Sequence, residues 1–147
     1  MKLRTIGYEA ATQNAVIDCL KQAGVEVVID VRAIASSRRA GFSKTLLKAS
    51  LAEAGIDYVH LRALGTPKAG RQAAHAGRTL EMYAIFEAHM AEPQAQVAYA
   101  EAAEIAAAQP SALLCYEADA KGCHRRILTD RLQAEHGFEV VDLTVPL

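Results

Sequence analysis

The sequence predicts a single α/β domain over residues 1–147, built on a mostly parallel open sheet of about five strands with helices on both faces. Three observations predict it. Short apolar runs alternate along the chain with longer stretches of helical periodicity, the signature of βα units. One run, Val25 to Val31, is almost continuously apolar and β-branched, as in a strand buried on both faces. The 147 residues, 52% hydrophobic and 22% charged, suit one globular domain with a real core.

The elements follow in order. Leu3 to Ile6 is a short first strand. Thr12 or Asn14 caps a helix with the stripe Ala15, Val16, Cys19, Leu20 and Ala23, and Gly24 stops it. Val25 to Val31 is the second strand. Ser43 caps a second helix with Leu46, Leu47, Leu51 and Ala54 inward and Gly55 as terminator. Ile56 to Leu61 is the third strand. Arg62 to Gly77 has Gly, Pro, four basic residues and weak periodicity, which reads as a functional or mobile loop. Two helices split by Pro93 come next. The first carries Met82, Phe86 and Met90 at core spacing, and the second, Gln94 to Ala108, is Ala-rich. Ser111 to Tyr116 is the fourth strand, Cys123 to His136 the last helix and Val140 to Val145 the last strand.

Composition excludes several classes. No apolar run reaches 18 residues, so no membrane span is expected. Met1 to Ile6 lacks the apolar core of a signal peptide, and a cytoplasmic location is expected. Three cysteines in such a chain point to free thiols. The net charge of −1 conceals an asymmetry. Arg32 to Arg78 holds nine basic and two acidic residues, whereas Thr79 to Asp119 holds seven acidic residues and no Lys or Arg. A basic segment binds anions locally even in a neutral protein. It has few interleaved aromatics beyond Phe42 and Tyr58, which argues against base stacking and leaves nucleic acid a disfavoured partner.

Chemistry concentrates beyond two strand ends. After the fourth strand, Cys115, Glu117, Asp119, Cys123, His124, Arg125 and Arg126 fall within twelve residues, directly before a helix. Ligands of parallel α/β folds bind beyond the carboxyl ends of strands. Cys123 at a helix start, beside His124 and Arg125, has the surroundings that lower a thiol pKa; Cys115 reads as an inert buried thiol. Two cations in a first helical turn need a negative partner, either nearby carboxylates or a ligand. After the second strand, Asp30 and Arg32 lie on one side of the chain, as a local ion pair or as binding groups. Ser36, Ser37, Arg38 and Arg39 suit phosphate or carboxylate, and Lys44 sits at the next helix start. Tyr58 and His60 share one face of the third strand, where a hydrogen-bonded core His is the commoner outcome. The two polar segments are expected to converge on one pocket.

Simple motifs do not fit. Cys115 and Cys123-His124 lack zinc-finger spacing, so no metal ligands are assigned from the spacing. No Cys is followed by Arg at phosphatase spacing. Ile29-Asp30-Val31-Arg32 looks like a rhodanese strand end, but the compact Cys loop of that family is absent.

Taken together, Thr5-Ile6-Gly7-Tyr8, Asp30-Val31-Arg32, Ser37-Arg38, Phe42-Ser43-Lys44, Gly55-Ile56-Asp57-Tyr58 with His60, Leu64-Gly65, Cys115-Tyr116-Glu117 and Cys123-His124-Arg125 resemble the widespread bacterial family labelled domain of unknown function 488. The resemblance runs almost the whole chain. It implies one α/β domain and supplies no activity. Thr66 stands where a second Gly usually follows Leu-Gly, and Ala10 where some members have Gly.

The preferred functional expectation is an anion-binding domain that acts as an enzyme on a substrate bearing phosphate or another oxyanion, a nucleotide among the options. Arg32, Ser37, Arg38, Lys44 and Arg125 are the candidate anion ligands. Asp30, Glu117 and His124 are candidates for proton transfer or for orienting those arginines, and Cys123 is a candidate nucleophile. The alternatives are a non-catalytic nucleic-acid module, rhodanese-like thiol chemistry, and a purely structural or interaction domain. The sequence names no cofactor and no oligomeric state.

Overall fold

Alternation along a strand sends successive side chains to opposite faces, and here both faces are apolar. The structure, a computed structural model, describes residues 1–146. Five strands, Lys2–Gly7 (β1), Val27–Asp30 (β2), Asp57–His60 (β3), Ser111–Cys115 (β4) and Glu139–Asp142 (β5), form one sheet in the order β3-β2-β4-β1-β5. Every pairing is parallel. The helices are Gln13–Gln22 (α1), Lys44–Glu53 (α2), Lys68–His75 (α3), Thr79–Met90 (α4), Pro93–Ala108 (α5) and Arg125–His136 (α6). Among the described residues no helix is long and apolar enough to cross a membrane.

Ile6, Val28 and Leu114 face α1 and α2, meeting Val16, Leu20, Leu47 and Leu51. Leu3, Ile29 and Leu113 face the opposite layer, where Phe86 and Met90 of α4, Ala102 of α5 and Leu128 and Leu132 of α6 cover them. The helices after β1 and β2 therefore use one face, and those after β3 and β4 the other. β4 inserts between β2 and β1. Loops leaving the neighbouring ends of β2 and β4 diverge to opposite faces, which opens a crevice at this switch of direction.

Three expectations need correction. The segment Arg62 to Gly77 is not an irregular loop: a 3₁₀ turn at Arg62–Leu64 precedes α3. α3 buries only Gly70 and Ala73, too little apolar surface to register as a stripe in the sequence. Leu46 is 58% exposed instead of inward, because the buried face of α2 is the i, i+4 pair Leu47 and Leu51. β5 ends at Asp142; beyond it only the Leu143 N–H reaches β1, 2.8 Å from Thr5 O.

Two glycines allow close backbone approaches that shape the crevice. A Cβ on Gly7 would lie 1.8 Å from the Glu117 carbonyl oxygen, so the loop after β4 crosses directly over the end of β1. A Cβ on Gly65 would lie 2.2 Å from backbone atoms of Ala33, so the turn after β3 presses on the loop after β2.

Candidate active site

Asp30 ends β2 fully buried, and Arg32 returns to the same side two residues later. The Arg32 Nε donates to both Asp30 carboxylate oxygens at 2.9 and 3.1 Å, and its Nη2 donates to Oδ2 at 2.7 Å. Its Nη1 donates to the Tyr8 hydroxyl at 3.1 Å and to Phe42 O at 2.7 Å. The Tyr58 hydroxyl also donates to Asp30. A buried charge pair survives only with such complete satisfaction. Asp30–Arg32 thus anchors the loop after β2, and His60 joins it with Nε2 2.7 Å from Arg32 O.

That loop is held from several sides. Ser43 is the N-cap residue of α2, but its hydroxyl serves the loop: it accepts from Ser37 N at 3.0 Å and donates to Ser37 O at 3.2 Å. Gln13 Nε2 donates to Gly41 O at 2.6 Å, and Arg39 reaches Ala11 O. The result presents Ser36, Ser37 and Arg38 to a cavity of about 340 Å³. Lys44 is exposed and does not line this cavity.

Beyond β4, Arg125 is 1% exposed and braces its own loop. Nε donates to Thr5 Oγ1 at 3.2 Å, Nη1 to Glu117 O at 2.6 Å and Nη2 to Ala118 O at 3.4 Å. The negative partner expected for this cation is thus a set of carbonyl oxygens. Arg126 instead pairs with Asp130 at 3.2 Å.

His124 caps the start of α6 from a buried position, and its Nε2 lies 2.8 Å from Val31 O. A carbonyl only accepts, so Nε2 carries a proton. Nδ1 then faces two thiols, Cys123 Sγ at 3.7 Å and Cys115 Sγ at 3.9 Å. The three ligand atoms lie within 4.8 Å of one another. Glu117 Oε2 is 3.6 Å from Cys115 Sγ. Burial opposes ionisation of Cys123, yet the hydrogen bond from Cys115 and the His124 charge hold its thiol well below the ordinary value. Cys115 is pushed up, first by its hydrogen bond to Cys123 and then by burial. Burial raises the Glu117 carboxyl to about 7. Burial alone would lower His124, but Cys123 raises it.

The cavity lies over the ends of β1, β2 and β4 and brings the two polar segments together. Tyr8, Arg32, Ser37, Arg38, Cys115, Glu117 and His124 line it, with Thr66, Arg71 and His75 from the segment after β3. Cys123 is fully buried behind Cys115 and is not part of the lining. A family model described as domain of unknown function DUF488 matches residues 12–132. The chain belongs to this family. No curated protein and no solved structure matches it. The DUF488 span includes every cavity-lining residue except Tyr8.

Sequence reasoning left out Arg71, His75 and Thr66, because their segment has no stripe of large apolar residues. Arg62, Lys68, Arg71 and His75 within sixteen residues were the available signal. It also set Cys115 aside as inert, since a strand end says nothing of which thiol faces a cavity. The Thr66 hydroxyl is buried without a hydrogen-bond partner among the described residues, against Gly70.

Proposed function

We propose that this chain is an enzyme that binds a small molecule bearing phosphate or another oxyanion in the cavity at the strand ends. The observation that carries the proposal is the pair Arg38 and Arg71, two guanidiniums in the cavity lining that form no ion pair among the described residues. A guanidinium offers a planar donor fork matched to phosphate and carboxylate. Ser36 and Ser37 add hydroxyls beside Arg38, and Arg71 is steadied by donating to Thr66 O at 2.9 Å. Arg32 and Arg125 then act as braces that aim the two loops, since their donors are already committed. Tyr8, Tyr116 and Met82 supply apolar wall, as small-molecule sites require. Cys115, Glu117 and His124 stand on the same cavity as the groups for chemistry on the bound molecule.

The test is calorimetric titration of the purified chain with inorganic phosphate, sulfate and a nucleoside monophosphate. At least one should bind, and Arg71→Ala and Arg38→Ala should each weaken it about tenfold, the value of one charge-assisted hydrogen bond. Absence of binding by all three, or binding untouched by both substitutions, overturns the proposal.

A further inference from the structure

We propose that Cys115, Cys123 and His124 form a zinc site whose fourth coordination position faces the cavity. Zn–S bonds of about 2.3 Å and Zn–N bonds of about 2.0–2.1 Å place tetrahedral ligand atoms about 3.5–3.8 Å apart. The observed separations from His124 Nδ1 to Cys123 Sγ and Cys115 Sγ are 3.7 and 3.9 Å. The cluster is therefore close to the size of a zinc cage before any rearrangement.

The tautomer fits as well. His124 Nε2 donates to Val31 O, so loss of the Nδ1 proton, as metal binding requires, directs the Nδ1 lone pair at the two thiols. Metal-bound histidines characteristically give their other ring N–H to a carbonyl or carboxylate in this way. Two thiols converge on one buried imidazole, the Glu117 carboxylate lies 3.6 Å from the Cys115 sulfur, and Arg125 points two of its donors at carbonyl oxygens. A divalent cation would neutralise both thiolates there. Access is through the cavity, since Cys115 and His124 line it while Cys123 closes the site from behind. Two cysteines and one histidine leave a catalytic zinc an open position. Sequence spacing concealed the set, because the ligands come from the end of β4 and from a turn eight residues on, which only the fold superposes.

The proposal shares Cys115 and His124 with the cavity of the oxyanion reading but does not rest on anion binding. The full chain is purified reduced, stripped with chelator, checked for folding by circular dichroism and titrated with zinc and with cobalt(II). One equivalent of zinc should bind. Cobalt should give intense thiolate-to-metal charge-transfer absorption and the visible bands of a tetrahedral ion, reduced or lost in Cys115→Ser. Cys123 is in the core, so a second readout uses the unaltered chain: zinc should slow alkylation of Cys115 and Cys123 and leave Cys19 unchanged. A folded, reduced chain that binds no zinc equivalent overturns the proposal, as do cobalt spectra without thiolate bands. Arg71→Ala should leave the cobalt spectrum intact, which separates failure of this site from failure of anion binding.

Discussion

His124 Nε2 lies 2.8 Å from the carbonyl oxygen of Val31, a bond between residues 93 positions apart. It ties the start of α6 to the end of β2 across the point where the strand order switches. Both loops that line the cavity depend on it. His124→Phe keeps the ring against Phe86, whose centroid is 4.9 Å away, but leaves the Val31 carbonyl unpaired. Urea unfolding should show a loss of about 1–3 kcal/mol, the cost of an unsatisfied buried acceptor. An unchanged midpoint and slope would show that the bond does not hold the two loops together.

Asp30 and Arg32 should be strongly coupled. Removing one partner strands a buried charge, at a cost of about 3–5 kcal/mol, while removing both costs less than the sum. The measurement is a double-mutant cycle of Asp30→Asn and Arg32→Met by denaturant unfolding. Additive losses would mean that the pair is not the anchor of the loop.

Gly65→Ala should be far more damaging than Gly122→Ala. A Cβ on Gly65 would meet the Ala33 backbone at 2.2 Å, whereas one on Gly122 has nothing within 4 Å. Thermal melts should separate the two variants clearly, and phosphate affinity should fall only in Gly65→Ala, because Ala33 leads into the Arg38 loop. Equal melting temperatures would contradict the close packing of the two segments.

Without metal, Cys19 should alkylate first and Cys123 last. Cys19 is partly exposed, and Cys123 is fully buried. Peptide mapping after timed labelling at neutral pH ranks them. Labelling of Cys123 ahead of Cys19 would mean that its lowered pKa outweighs its burial, the order that a helix start and neighbouring cations suggest by themselves.

That contrast marks how far the sequence is legible. The alternation of Val25–Val31 and its neighbours revealed the parallel sheet, and the Asp30–Arg32 and Cys115–Arg126 blocks pointed to the strand ends that form the cavity. α3 stayed hidden because Gly70 and Ala73 bury too little surface to leave a period. Thiol reactivity is only half legible for a geometric reason: helix-start position and neighbouring cations are local, but exposure depends on the packing of β4 against α6. The acceptors that Arg125 meets, the Glu117 and Ala118 carbonyls, likewise carry no signature in side-chain chemistry. Strand order, with β4 between β2 and β1, follows from long-range pairing that no local pattern encodes.

Oligonucleotide binding should be weak. The phenol rings that line the cavity belong to Tyr8 and Tyr116, which gives bases few stacking platforms. Fluorescence anisotropy with short single- and double-stranded DNA and RNA, across a salt series, is the check. Tight binding with a steep salt slope, lost on charge reversal of Arg38 and Arg39, would favour a nucleic-acid module.

The most direct measurement is a crystal structure of the chain soaked with tungstate, a heavy tetrahedral oxyanion with strong anomalous scattering. The expected result is an anomalous peak in the strand-end cavity, within hydrogen-bond reach of Arg38 and Arg71, that disappears in Arg71→Ala. A peak only elsewhere on the surface, or an empty cavity at concentrations that saturate the crystal, would contradict oxyanion binding at this site.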